Sequence, residues 1–117
     1  MNKKERIAYK GSEFTIEWYH DANGKSQALE YLMNLDTSNQ QKVFYLFKRL
    51  GDFGKISDKT KFRNEGDQIF SFKPKPDRFL SFFVKGKKVI VTNAFQKNQT
   101  NYQKMKKEKL WDFGKII

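Results

Sequence analysis

The sequence predicts an α+β fold in which a mostly antiparallel four-stranded sheet packs on a helix hairpin and is followed by a C-terminal helix. Three observations predict it: residues 68–97 contain three apolar runs separated by turn residues, an earlier segment alternates apolar and polar side chains, and two segments between them carry apolar residues at helical spacing. The predicted order is β-α-α-β-β-β-α. At 117 residues we expect one domain, 1–117, whose first residues, 1–12, can form a flexible N-terminus.

The first half of the chain is predicted to supply one strand and two helices. Residues 14–19 alternate apolar and polar positions for most of their length, as a half-buried strand does. Ser26 suits the N-cap of a short helix that ends near Leu35, and residues 36–38 offer caps for the next helix. That second helix ends at Gly54, where glycine permits a left-handed cap. The short link between the helices predicts an antiparallel hairpin.

The second half is predicted to contain three strands and a terminal helix. Residues 55–67 are polar and are predicted to form a loop. Pro74 and Pro76 separate the first strand from the second, and Gly86 suits a tight turn before the third. The three strands are predicted near 68–73, 78–85 and 88–95. Residues 100–113 carry spaced apolar side chains among many lysines, which predicts a helix.

The charge distribution is a strong functional signal. The formal net charge is +11 at pH 7. Residues 1–67 contain twelve Lys and Arg against ten Asp and Glu, whereas residues 68–117 contain twelve against three. A positive charge concentrated in one half favours binding to nucleic acid or to an acidic partner. General lysine enrichment without a function is the alternative explanation.

The composition excludes several kinds of chemistry. The chain has no cysteine and a single histidine, His20, which excludes a disulfide framework, a thiolate metal site and a pair of catalytic histidines within one chain. The aspartates lie in turn-like segments without paired-carboxylate spacing, so we expect neither a metal ion nor another cofactor. No apolar run has the length of a membrane span or follows the pattern of a signal peptide. We therefore expect a cytoplasmic protein that does not bind membranes.

Cationic side chains remain as candidate catalysts. Cleavage of RNA by its own 2′-hydroxyl requires a base, charge stabilisation at phosphorus and an acid for the leaving oxygen. Arginine can hold a phosphate through two hydrogen bonds, and a lysine among other cations can act as a base because its pKa is lowered. Four cations are predicted to cluster at strand ends: Lys73, Lys75, Arg78 and Lys97. The same residues suit equally well a solvated strand edge that lysine and proline protect from aggregation.

An ordered set of motifs resembles one known family. The motifs are Phe14-Thr-Ile-Glu-Trp-Tyr19, Arg49-Leu-Gly-Asp-Phe-Gly-Lys55, Phe72-Lys-Pro-Lys-Pro-Asp-Arg-Phe-Leu80 and Ala94-Phe-Gln-Lys97. Together they resemble the phage-derived, HigB-like branch of the RelE/ParE toxin superfamily, over residues 13–110. The resemblance implies a RelE-like fold and the toxin of a type II toxin–antitoxin system. Members are typically ribosome-dependent mRNA endoribonucleases (mRNA interferases) that inhibit translation.

The resemblance also implies partners and site residues. The ribosome and mRNA would be the targets, and a HigA-like antitoxin with a helix-turn-helix domain would silence the toxin and link it indirectly to operator DNA. Arg78 resembles the family's strand arginine that contacts the scissile phosphate. Lys73 resembles the basic residue that ends the preceding strand, and Lys97 the first basic residue after the last strand. The expected RNA-binding residues are Lys75, Asn98, Tyr102, Lys104 and Lys107.

Two departures from the family pattern leave the proton-transfer roles open. Many relatives carry a second basic residue where this chain has Asn98, and a Thr-Pro pair where it has Asn101-Tyr102. The sheet face occupied by Arg78 also stays open, because a bulge near Pro76 would reverse it.

Two further functions are compatible with the same fold. ParE-like relatives inhibit DNA gyrase without cutting RNA, and a basic binding module could have lost its catalytic residues.

Overall fold

The computed structural model describes residues 6–96, which form two helices and six strands. The helices are α1 (Gln27–Met33) and α2 (Thr37–Phe53). The strands are β1 (Ile7–Lys10), β2 (Thr15–Trp18), β3 (Phe62–Gly66), β4 (Ile69–Phe72), β5 (Asp77–Val84) and β6 (Lys88–Gln96). The order within the described range is therefore β-β-α-α-β-β-β-β. The helix predicted at 100–113 lies outside this range.

The α+β class is confirmed, but the number and order of the strands were predicted wrongly. β1 lies in the segment expected to be a flexible N-terminus, and β3 lies in the segment 55–67 expected to be a loop. Both are edge strands of the sheet. An edge strand is held by backbone hydrogen bonds to a single neighbour, so it can form without the apolar alternation that marks a strand in the sequence. β3, for example, contains Phe62 as its single large apolar residue.

The six strands form one mixed sheet in the order β1-β2-β6-β5-β4-β3. β2 and β6 are parallel, and every other neighbouring pair is antiparallel, so the sheet is mostly antiparallel as predicted. The turn between β3 and β4 consists of Asp67 and Gln68, both with positive φ. A two-residue hairpin of this kind usually contains Asn-Gly or Asp-Gly. Its unusual sequence is one reason why the hairpin was not predicted.

Both helices begin at capping residues within the segments where helices were predicted. The Ser26 hydroxyl accepts a hydrogen bond from the Leu29 backbone N–H at 3.2 Å and so starts α1. The next cap is Asp36, whose carboxylate accepts from the Asn39 N–H at 2.8 Å, whereas Ser38 lies inside α2. Gly54 ends α2 in the left-handed conformation, at φ 78°, as predicted. Within residues 6–96, neither helix is long and apolar enough to cross a bilayer.

The main core lies between one face of the sheet and both helices. Phe47 of α2 is fully buried at its centre, and its ring contacts Trp18, Phe72 and Phe79 at centroid distances of 5.5, 4.8 and 6.2 Å. A second buried cluster consists of Ile69, Leu80, Phe82 and Phe95. Because successive strand residues point to opposite faces, this cluster lies on the face turned away from the helices.

A bulge in β6 preserves these two faces. Leu80 pairs with Asn93 and Ser81 pairs with Val91, so Thr92 is an extra residue on β6. Val91 and Ala94 are three residues apart, yet both belong to the core beneath the helices because the bulge shifts the alternation. The bulge lies far from Pro76, and the pairing of Asp77 to Leu80 with residues 93–96 is regular. Arg78 therefore shares the face of Leu80, turned away from the helices.

Candidate functional site

An open depression of about 640 Å³ lies beside β3 and the start of β5. Its walls come from the segment after α2, from β3, and from the connection between β4 and β5. Among the residues that the structure describes, five of its lining side chains are cationic and none is a carboxylate. The cations are Lys59, Arg63, Lys73, Lys75 and Arg78. Such a surface attracts phosphate groups, because several positive charges share one concave region without internal compensation.

Arg78 is the most buried of these cations. Its side chain is only 4 % exposed, and Nη1 donates a hydrogen bond to the Asp77 carbonyl oxygen at 2.9 Å. Within residues 6–96 no carboxylate forms an ion pair with the guanidinium. A buried charge without a counter-ion is costly, and an arriving phosphate would relieve that cost. The remaining N–H donors form the planar fork that binds a phosphate through two hydrogen bonds.

Two lysines of the site, Lys73 and Lys75, lie on the connection between β4 and β5. The Lys73 N–H donates to the Lys61 carbonyl oxygen at 2.7 Å, and the Lys75 N–H donates to the Lys73 carbonyl oxygen at 3.0 Å. The Lys73 ammonium lies 3.5 Å from the Lys59 carbonyl oxygen. These bonds fix the connection against the segment before β3. Lysines from two distant stretches of chain are thereby held on one depression.

Helix α1 holds the ends of the two strands that lead into the site. The Tyr31 hydroxyl donates a hydrogen bond to the buried carboxylate of Asp77, the residue next to Arg78. The Gln27 carboxamide donates to the Ala94 carbonyl oxygen at 2.7 Å and accepts from the Ala94 N–H at 2.6 Å. It binds β6 beyond the point where β2 stops pairing with it. Gln27 thus satisfies backbone groups that a neighbouring strand would otherwise bind.

The contact between Tyr31 and Asp77 should make stability depend on alkaline pH. Burial, followed by the hydrogen bond to Asp77, raises the pKa of Tyr31. A raised folded-state pKa gives stability that is complete below the unfolded value of about 10 and is lost as the pH rises above it. We expect Tyr31→Phe to lower the free energy of unfolding by about 1–3 kcal/mol at neutral pH, because it leaves the Asp77 carboxylate without a donor. Urea unfolding between about pH 8 and 11 measures both effects.

The exposed Tyr45 supplies the control for this prediction. Its side chain is 60 % exposed on α2, so Tyr45→Phe should leave the unfolding free energy and its pH dependence nearly unchanged. The stability difference between wild type and Tyr31→Phe should shrink above about pH 10. A difference that stays constant over the whole range would show that the ionisation of Tyr31 is not linked to folding.

The structure brings together some of the predicted site residues. Lys73, Lys75 and Arg78 line one depression. Lys97, Asn98, Tyr102, Lys104 and Lys107 lie outside the described residues.

Two further cations of the depression, Lys59 and Arg63, were not predicted. They were overlooked because residues 55–67 were predicted as a loop in the nearly neutral half of the chain. The sequence carried only a partial signal, because Lys61 and Arg63 flank the apolar Phe62 where β3 begins, whereas Lys59 precedes the strand. Within residues 6–96, no group of three or more His, Cys, Asp or Glu side chains is placed to hold a metal ion.

Comparison with known proteins identifies the family of this chain. A family profile described as phage derived protein Gp49-like matches residues 30–111, which is more than half of the chain and includes every residue that lines the depression. A comparison with curated protein sequences found no match. The chain therefore belongs to the Gp49-like family of phage-derived proteins, a family of RelE/ParE-like toxins in toxin–antitoxin systems.

Proposed function

We propose that this protein is a HigB-like toxin that inhibits translation by cutting mRNA as a ribosome-dependent endoribonuclease. The observation that carries the proposal is the buried Arg78, which within residues 6–96 has one hydrogen bond and no ion pair, in a depression whose described lining has five cations and no carboxylate. Membership of a RelE/ParE-like toxin family supports the toxin role. On a generic basic surface the arginine would be exposed to solvent, and its charge would carry no desolvation cost. An uncompensated buried arginine is better suited to one bound phosphate.

The proposed reaction is attack of the RNA 2′-oxygen on the adjacent phosphorus. The bond from phosphorus to the 5′-oxygen of the next nucleotide breaks, which leaves a 2′,3′-cyclic phosphate and a free 5′-hydroxyl. A base takes the proton of the 2′-hydroxyl, and an acid gives a proton to the leaving oxygen. Arg78 would donate hydrogen bonds to the phosphate oxygens, whose negative charge increases in the transition state.

The other cations would orient the RNA and move protons. Lys73 lines the same depression as Arg78 and, together with Lys97, is the candidate for proton transfer or for positioning the strand. Lys59, Arg63 and Lys75 would bind the phosphates on either side of the cut. The depression is open and offers few polar groups other than cations. We therefore expect the ribosome to supply the ordered mRNA that an isolated toxin would bind weakly.

A cognate antitoxin follows from the family, and we propose a HigA-like protein that covers the cationic depression. Acidic residues of the antitoxin would compensate Arg78 and its neighbours, and so silence the toxin by occupying its phosphate site. Operator DNA would be bound through the antitoxin.

Mapping of mRNA ends in a purified translation system tests the proposed activity. We expect cuts at defined codon positions when ribosomes are present, and no cuts in naked mRNA over the same time. Absence of cleavage in both conditions would contradict the proposal. If the protein then inhibited DNA supercoiling by gyrase, the ParE-like alternative would be correct. Binding to nucleic acid without either effect would favour a module that has lost its catalysis.

A further inference from the structure

A second basic depression, of about 510 Å³, lies between α2 and the connection from β4 to β5. Three lysines line it, together with Tyr45, whose ring is 60 % exposed. They are Lys42 of α2, Lys61 before β3 and Lys75. No carboxylate from residues 6–96 lines it. An exposed aromatic ring among lysines is the combination that binds single-stranded nucleic acid, because bases stack on the ring while the cations contact phosphates.

The second depression adjoins the depression of Arg78 at Lys75. Lys75 lines both of them, and Pro74 beside it lines the second, so the chain at Lys75 forms the rim between them. The hydrogen bond from the Lys73 N–H to the Lys61 carbonyl oxygen, at 2.7 Å, fixes the two walls of this rim to each other. A strand that crosses the rim therefore meets cations on both sides of it.

The Asp58 carboxylate lies close to the rim without lining either depression. It accepts hydrogen bonds from the Thr60 hydroxyl and N–H at 2.6 and 2.9 Å. These bonds lower the pKa of Asp58, and the charges of Lys61 and Lys75 lower it further. Asp58 is thus directed toward Thr60 and offsets only part of the positive charge at the rim.

We propose that the RNA strand held at Arg78 continues over Pro74 and Lys75 and that its flanking nucleotides bind in the second depression. Lys42 and Lys61 contact backbone phosphates, and one base stacks on Tyr45. This inference rests on the proposed endoribonuclease function and extends its substrate site. Single-stranded RNA is preferred to an acidic antitoxin segment as the occupant because the second depression shares a rim with the depression of Arg78 and adds an aromatic platform to the lysines.

Fluorescence anisotropy with the full-length protein tests the inference. The probe is a single-stranded RNA of about 12 nucleotides, made non-cleavable by 2′-deoxy substitution. We expect Lys42→Gln combined with Lys61→Gln to weaken binding about 10-fold and to reduce the logarithmic salt dependence by about 1.4, or about 0.7 for each lost phosphate contact. Tyr45→Ala should weaken binding about 5-fold or more without changing the salt dependence.

A matched control carries Lys10→Gln together with Lys25→Gln. These lysines are exposed and line neither depression, so the same loss of charge should reduce affinity less than 3-fold. Equal losses in both double variants would overturn the inference, because they would indicate a nonspecific charge effect. Loss of antitoxin binding with unchanged RNA binding would overturn it in favour of a protein partner. If RNA binding does not change and wild type still cuts mRNA on ribosomes, the inference fails while the proposed function stands. If wild type cuts mRNA on ribosomes but does not bind the probe, the inference fails while the proposed function stands, and if it does neither, both fail.

Discussion

Replacing Arg78 with alanine should reduce ribosome-dependent mRNA cleavage about 100-fold or more and abolish growth inhibition. The guanidinium is buried beside the cationic depression, with one hydrogen bond to the Asp77 carbonyl oxygen and no carboxylate paired to it within residues 6–96. Removing it takes away the donors proposed to bind the reacting phosphate. Cleavage rates on ribosomes programmed with one defined mRNA measure the loss.

Two further variants distinguish the specific contribution of the Arg78 guanidinium to cleavage from the general contribution of positive charge to RNA binding. Arg78→Lys keeps the charge but loses the planar fork, so we expect it to recover only a small part of the activity. Arg63→Ala removes an exposed cation of the same depression and should reduce cleavage about 10-fold or less, mainly by weakening RNA binding. We expect Arg63→Ala to melt near wild type because its side chain is exposed, and both Arg78 variants to stay folded because Arg78 lies on the face of the sheet opposite the main core. A folded Arg78→Ala protein with wild-type cleavage would contradict the proposed role.

The largest effect on stability is expected for Phe47→Ala, which should lower the free energy of unfolding by about 3–5 kcal/mol. The Phe47 ring is fully buried and contacts aromatic rings from β2, β4 and β5. Its truncation leaves a cavity that rigid neighbouring rings cannot fill completely. Since small domains have total stabilities of about 5–15 kcal/mol, the variant should be partly unfolded at 37 °C. Urea unfolding followed by tryptophan fluorescence measures the change.

The same helix offers a matched control in Phe53. This ring is 63 % exposed near the end of α2, where the Arg49 guanidinium lies 5.2 Å from its centroid. Phe53→Ala should therefore cost less than about 1 kcal/mol. Comparable losses in the two variants would mean that the core is not centred on Phe47.

The parts of the fold that local signals specify could be predicted from the sequence. Ser26 and Gly54 mark helix boundaries through their own side chain or backbone conformation, and β5 and β6 are apolar along most of their length. The edge strands β1 and β3 could not be predicted in the same way. They are short and largely polar or exposed, and they are stabilised by pairing with β2 and β4 rather than by their own composition.

For the candidate site too, the residues that are close in sequence were predicted and the distant ones were not. Lys73, Lys75 and Arg78 lie within six positions of one another, so a sequence pattern could group them. Lys59 and Arg63 join them only because β3 pairs with β4. The contacts of Tyr31 with Asp77 and of Gln27 with Ala94 join residues 46 and 67 positions apart. No local pattern encodes such pairs, because folding of the whole sheet brings them together.

At the Thr92 bulge, β6 can change in length by one residue without changing the faces to which its other side chains point. Elsewhere in a strand, gain or loss of one residue exchanges its inner and outer faces. At Thr92 the extra residue has no partner on β5, so its loss would leave Val91 opposite Ser81 and Asn93 opposite Leu80 in a regular ladder. Both core faces would be kept. This position is therefore the point in β6 where relatives can differ in length by one residue while still presenting Arg78 and Phe95 on the same side of the sheet.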